Sequence, residues 1–249
     1  LIAKKSFGFG DGSSCWCGRT EHTRVVGEWR NVPGTTYALG SCDSCNTVRT
    51  IDCSFEEYGE FLYRFEKIST RHINSISTIN KYCRGDLLDI GCNCGEIIKE
   101  LSKNGNFSSL TGIDFSAAAV SHGRDKFDLR LKESTIDDII SEKEKYDTVI
   151  MIHTFEHISD PLEFLGKIKS VVGGERLLYL CVPNIEGAYL PSFGALDPRE
   201  HYWHFTEDTL RRLVTRAYGD GNVLFSGKSS IWGGKEQLEM VISVPPRGE

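Results

Sequence analysis

An apolar run, Leu87-Leu88-Asp89-Ile90, breaks at Gly91, continues through Cys92-Asn93-Cys94-Gly95 and passes into a helical pattern from Glu96 to Lys103. No other feature of the chain narrows its fold as far. A short strand that turns at glycine directly into a helix is the opening of an α/β layer. Gly91 permits the tight exit from the strand, and Gly95 permits close approach as the helix begins. Amides at such a helix start can face a polar ligand.

The same alternation continues downstream. Leu110-Thr111-Gly112-Ile113 reads as a second strand ending at Asp114, and Ser116 as the cap of a helix through Ala117-Ala118-Ala119-Val120. Phe127 to Leu131 reads as a third strand and Thr148-Val149-Ile150-Met151-Ile152 as a fourth. Asp160-Pro161 opens a helix through Val171, with proline suited to the first turn. Leu177 to Val182 is a fifth strand stopped by Pro183, a helix follows Thr206, and Val223–Phe225 and Leu238–Val244 close the domain. Continuous apolar strands separated by helices predict a doubly wound, mostly parallel α/β sheet covered on both faces.

The glycine loop also constrains its ligand. Asp114 ends the second strand, where a carboxylate can accept both ribose hydroxyls of an adenosine. Asp89 lies just before the glycines, and no lysine or arginine occurs in the loop. That charge repels a pyrophosphate and favours an amine or sulfonium, which points away from nicotinamide dinucleotides.

These stretches resemble a known family. Leu87 to Gly95 is similar to the first motif of the class I methyltransferases that use S-adenosylmethionine, and Thr111-Gly112-Ile113-Asp114-Phe115-Ser116 to their second-strand motif. Tyr146 to Pro161, Val182-Pro183-Asn184 and His201-Tyr202-Trp203-His204-Phe205-Thr206 resemble the subgroup of quinone-precursor and sugar methyltransferases. The resemblance covers residues 85–244. It implies a seven-stranded sheet with the last strand antiparallel, Asp89 near the methionine amine, Gly91, Asn93 and Gly95 around the methionyl group, and Asp114 on the ribose. It sets Glu133 to Thr135 beside the adenine, with Ser134 and Thr135 as the candidate cofactor residues there; His153 is a further candidate for the cofactor site. Asn93 stands where the family usually has glycine. Asparagine tolerates a left-handed backbone better than most residues, yet its side chain beside the ligand keeps a non-catalytic, binding-only domain in view.

Methyl transfer to a hydroxyl needs an acceptor held in line and a group to take its proton. His153, Glu156 and His157 follow the fourth strand, and His201 and His204 precede a later helix. His157 is the preferred base because imidazole titrates near neutrality, with Glu156 orienting it and His201 as second base or acceptor ligand. The alternatives for His157 are loop packing and a metal. His204 is expected to be structural. Tyr189, Phe193, Tyr202 and Trp203 suit an acceptor wall or lid, or local packing. The expected acceptor is a small-molecule hydroxyl, first a sugar or glycan intermediate and second a phenolic quinone precursor.

Residues 1–53 differ in kind, being rich in Gly, Ser and Cys with only short apolar stretches. Cys15, Cys17, Cys42 and Cys45 offer four thiolates from two corners, the donor set of a closed tetrahedral zinc site. The segment looks like the zinc ribbon found ahead of some sugar methyltransferases, with the first pair one residue short. Buried thiols and disulfides are the competing readings. Residues 54–84, with Phe55, Tyr58, Phe61, Leu62, Phe65 and Ile68 and then Ile73, Ile76 and Ile79 at helical spacing, are expected to be a helical linker to a methyltransferase domain at 85–249.

Composition excludes little else. The formal charge of −6, from 29 basic and 35 acidic side chains, argues against nucleic acid as the partner. No run approaches the roughly 18 apolar residues of a membrane span, and no signal-peptide pattern is seen. The nine cysteines, several in or beside strands, fit a reducing compartment, and cytoplasmic location is the expectation.

Overall fold

The computed structural model describes residues 4–8, 15–19, 22–28, 36–56, 70–186, 201–231 and 235–246. Tyr189 and Phe193 lie outside the described residues, as do Tyr58 to Ile68 of the expected linker.

The front of the chain forms antiparallel strands β1 (Lys4–Gly8), β2 (His22–Glu28), β3 (Thr36–Cys42) and β4 (Val48–Glu56), in the order β1-β4-β3-β2. The turn between β3 and β4 is closed by Asn46, whose left-handed backbone (φ 59°) returns its N–H to the Cys42 carbonyl at 2.8 Å. A helix beginning as early as Phe55 is overturned, because β4 runs through that residue to Glu56. Pairing with β1 (Ser6 with Ser54, Lys4 with Glu56) holds the segment extended, a long-range contact that local periodicity cannot register. Helix α1 (Thr70–Tyr82) does form where Ile73, Ile76 and Ile79 recur; it buries Ile79 completely and leaves Ile73 exposed.

The second sheet is built from β5 (Gly85–Ile90), α2 (Glu96–Leu101), β6 (Phe107–Asp114), α3 (Ala117–Phe127), β7 (Leu131–Glu133), α4 (Ile136–Ser141), β8 (Tyr146–Ile152), α5 (Pro161–Val171) and β9 (Val172–Pro183). A two-residue strand β10 (Trp203–His204), α6 (Glu207–Tyr218), β11 (Val223–Ile231) and β12 (Lys235–Ser243) complete the chain. The seven-stranded order is β11-β12-β9-β8-β5-β6-β7. Neighbours from β7 to β9 are parallel, whereas β12 runs antiparallel to both β9 and β11. The expected architecture is therefore present, including the reversed last strand.

Sequence signals explain the helix starts. The Ser116 hydroxyl accepts from the Ala119 N–H, the Asp160 carboxylate from the Glu163 N–H ahead of Pro161, and Thr206 forms a capping box with Thr209. The third strand starts later than its apolar residues suggest. Helix α3 continues to Phe127 and stops only when Asp128 turns left-handed (φ 53°), so β7 begins at Leu131.

Both faces of the sheet are covered. Val149, Met151, Leu178 and Leu180 face one core, while Ile150, Tyr179 and Val241 face another formed with Ile79, Ile97 and Leu101. Double coverage is why these strands read as unbroken apolar runs. Among the described residues no helix is long and apolar enough to cross a membrane.

Candidate active site

Strand β5 is followed in space by β6 on one side and β8 on the other. The crevice at the carboxyl ends of these strands is where open α/β sheets bind ligands. Three segments meet there: the loop after β5, the end of β6 and the turn after β8.

The β5 loop has the backbone its glycines imply. Gly91 (φ 77°) and Gly95 (φ 84°) are left-handed, and so is Asn93 (φ 52°). Asparagine thus adopts the conformation required where glycine was expected. At Gly91 a side chain is also sterically barred, because Thr154 fills the space a Cβ would need. The Asn93 N–H donates to Asp114 Oδ2 and the Ser116 N–H to Asp114 Oδ1, both at 2.9 Å. Two backbone donors thereby aim the Asp114 carboxylate while leaving acceptor capacity for a ligand. Ser134 adjoins this end of β6 through its N–H to the Asp114 carbonyl, 3.1 Å. Thr135 spends its hydroxyl capping α4 with Asp138. Phe115 stands 81% exposed next to Asp114.

Asp89 is buried at 3% exposure. Burial, reinforced by the negative charges of Asp114 and Glu96, pushes its carboxyl up to about 8. Glu96, itself buried, has a carboxylate oxygen with no hydrogen-bond partner among the described residues. A crevice lined by these acids favours a cation, as the sequence implies.

The turn after β8 carries the second cluster. Phe155–His157 form a single 3-10 turn, with Phe155 and Glu156 buried. Three histidine nitrogens surround Glu156 Oε1: His153 Nδ1 at 3.5 Å, His201 Nε2 at 3.9 Å and His157 Nε2 at 4.0 Å. Burial opposes ionisation of Glu156, but the close approach of His153 and the positive potential of His201, His153 and His157 outweigh it and hold the carboxyl down to about 2. Burial likewise opposes a charge on His153, whose contacts with Cys181 and Glu156 prevail and lift it to about 10. Glu156 and His153 form a buried ion pair, and His157, with 35% of its side chain exposed, is the member of the cluster most open to a ligand. Glu156, His157 and His201 also place one ligand atom each within 4.8 Å of one another, close enough to share a metal ion.

His201 arrives on a strap pinned from both sides. The Tyr202 N–H donates to the Glu156 carbonyl at 2.9 Å, and the Thr50 N–H donates to the Tyr202 carbonyl at 3.0 Å. Strand β10 adds to β4, pairing Trp203 with Arg49 and His204 with Val48. Trp203 is buried, its indole N–H donating to the Ser159 carbonyl at 3.2 Å, so it packs the strap and does not wall an acceptor. His204 is buried against Thr50, in keeping with a structural role.

The four ribbon thiols lie within 4.8 Å of one another, with Cys15 3.4 Å from Cys45 and Cys17 3.5 Å from Cys42. Zn–S bonds of about 2.3 Å place tetrahedral sulfurs roughly 3.8 Å apart, so the donor set fits the metal. Burial works against ionising Cys42, but the Cys45 and Ser44 amides outweigh it and keep that thiol below its ordinary range. Cys92 and Cys181 are buried within apolar clusters, and Cys94 is buried beside Glu96.

Several residues of this region escape sequence reasoning. Thr154, Gln237 and Thr50 act through contacts distant in the chain, while Phe115 carried a readable signal in its place beside Asp114.

Fold and glycine-loop geometry together define the S-adenosylmethionine-dependent methyltransferase class. Residues 59–219 match the family model described as a methyltransferase domain, and the chain belongs to that family. It is 24% identical over 108 residues to the ubiquinone biosynthesis O-methyltransferase of Actinobacillus pleuropneumoniae serotype 7, covering 39% of this chain and 45% of that protein. The protein of the same name from Dinoroseobacter shibae is 22% identical over 170 residues, covering 62% of this chain and 68% of that one. The chain thus spans under half the length of the first relative. Among solved structures, the plantazolicin methyltransferase BpumL in complex with S-adenosylhomocysteine (SAH) superposes with a TM-score of 0.56 at 20% identity, over 71% of this chain and 84% of that one. At that identity the likeness concerns the fold.

Proposed function

We propose that this chain transfers a methyl group from S-adenosylmethionine to a hydroxyl of a small-molecule acceptor, with His157 taking the proton. One observation carries this reading: an acid-lined loop oriented by Asp114 and a Glu156-centred histidine cluster occupy the ends of adjacent strands β5 and β8. In this reading Asp89 faces the methionine amine and Asp114 holds the ribose. Gly91, Asn93 and Gly95 shape the methionyl pocket, while exposed Phe115 lies against the adenine with Ser134 at its border. The donor's sulfonium supplies the methyl group. The chain's own residues hold the acceptor, exclude water and accept its proton at the His157 imidazole, and Glu156, 4.0 Å from Nε2, stabilises the resulting imidazolium. His153 fixes Glu156, and His201 lines the acceptor side.

The names of the curated relatives favour a phenolic acceptor over the carbohydrate suggested by the ribbon. We assign zinc to Cys15, Cys17, Cys42 and Cys45 as a structural ion, since four thiols leave no open coordination position. The thiols fit a cytoplasmic setting.

Calorimetry and turnover test the proposal. The protein should take up SAH, and His157→Ala should lower kcat by about 10²-fold or more while leaving SAH affinity within about twofold. Absence of SAH binding to folded protein would leave a non-catalytic domain as the better reading. A second reading follows from the proximity of Glu156, His157 and His201 to one another: a divalent cation held there polarises the acceptor oxygen in place of a base. Loss of turnover in chelator with recovery on adding a divalent ion, at unchanged SAH affinity, distinguishes it from direct proton transfer to His157.

A further inference from the structure

The His201 strap is braced by one side chain of the cysteine ribbon. The Thr50 hydroxyl lies 2.8 Å from the His201 carbonyl and 3.0 Å from His204 Nε2. A hydroxyl carries one proton, and a carbonyl can only accept. The proton therefore points to His201, and the contact with His204 requires that Nε2 bear a hydrogen. One hydroxyl thus fixes the peptide at His201 and the protonation of His204 Nε2. Thr50 is 2% exposed, so bulk water cannot readily replace these bonds.

The backbone repeats the link. The Thr50 N–H donates to the Tyr202 carbonyl, and the Tyr202 N–H donates to the carbonyl of Glu156. The His201 ring stands edge-on to His157 at 4.9 Å between centroids and 5.9 Å from His204. Any shift of the strap consequently moves His201 against both His157 and Glu156.

We propose that Thr50 is a positioning residue for the acceptor-side cluster, acting through the His201 peptide and the His204 ring, so that the ribbon forms part of the reaction site's framework. The inference rests on the reading of His201 as a site residue.

The test uses the full chain with its metal. Thr50→Val preserves shape and removes the hydroxyl; Thr50→Ser restores it. Thr50→Val should lower kcat by about tenfold or more at unchanged SAH affinity and shift the His201 and His204 ring nitrogens in long-range proton–nitrogen spectra. Thr50→Ser should match the wild type in both measurements. Unshifted ring nitrogens and unaltered turnover in Thr50→Val would overturn the proposal, as would a Thr50→Ser protein as impaired as the valine variant. If Thr50→Val does not fold, Thr50→Cys, with its weak donor, should give intermediate shifts, and no shift there counts against the role. If no acceptor is turned over, the ring-nitrogen spectra still decide the role of Thr50, and SAH calorimetry separately decides the enzymatic reading.

Discussion

His153 Nε2 lies 3.1 Å from the side-chain oxygen of Gln237, while its Nδ1 faces Glu156 at 3.5 Å. The amide nitrogen of Gln237 points instead to Ser75 and Glu239, each at 3.3 Å, which settles its orientation. An imidazole with an acceptor at each nitrogen is most stable doubly protonated. Gln237→Met removes one acceptor, so His153 should titrate below its present value of about 10 in a histidine NMR titration. The stability gained from this charge is full below the unfolded value of about 6.5 and is lost as pH rises through the folded value. The variant should therefore lose stability at a lower pH than the wild type. An unchanged titration would show that Gln237 contributes nothing to the charge.

Donor uptake should depend on pH through Asp89. Its carboxyl titrates at about 8 and is mostly protonated at pH 7, whereas a cationic ligand favours the ionised form. Binding should release a proton, and affinity should weaken by up to about tenfold per pH unit below 8. Calorimetry in buffers of different ionisation enthalpy measures the release, and Asp89→Asn should abolish it. A pH-independent affinity for S-adenosylmethionine would contradict this placement.

Asp114→Asn keeps the side chain's shape but presents an amide to either Asn93 or Ser116, both of which donate. One backbone N–H is left facing a donor and the ribose loses a charged acceptor. We expect SAH affinity to fall by about ten- to a hundredfold, with melting temperature little changed.

Gly91→Ala should cost about 1–3 kcal/mol in chemical denaturation, because the residue is left-handed and its Cβ would strike the Thr154 side chain. Thr154→Ala in the same chain should recover part of that loss, and strict additivity would show that the clash is not its source.

Metal analysis of purified protein should find about one zinc per chain, and Cys42→Ser should reduce it sharply. Zinc retained in full by the serine variant would place the metal elsewhere.

What the sequence makes legible is local. The loop from Asp89 to Gly95, the caps at Ser116, Asp160 and Thr206, and the acid at Asp114 all announce themselves within a few residues, and the structure has each in place. Asn93 was readable for the same reason, since backbone handedness is a property of one residue. What stayed hidden depends on distant pairings. Extension of β4 through Phe55 is imposed by β1, the charge on His153 chiefly by its contact with Cys181, and the placement of His201 by Thr50. The late start of β7 has a smaller cause: Phe127 and Leu129 carry strand-like apolarity, but Asp128 ends the helix between them.

The addition of β10 to β4 bears on how this molecule can be divided. A fragment starting at residue 85 would contain every strand of the large sheet, yet Trp203 and Phe205 share their apolar cluster with Cys15, Cys42 and Cys45. Cutting away the front would leave Trp203 and His204 without their ladder partners and open an aromatic surface to solvent. Such a truncated polypeptide should be prone to self-association, and an assay on it would underestimate the parent protein's activity.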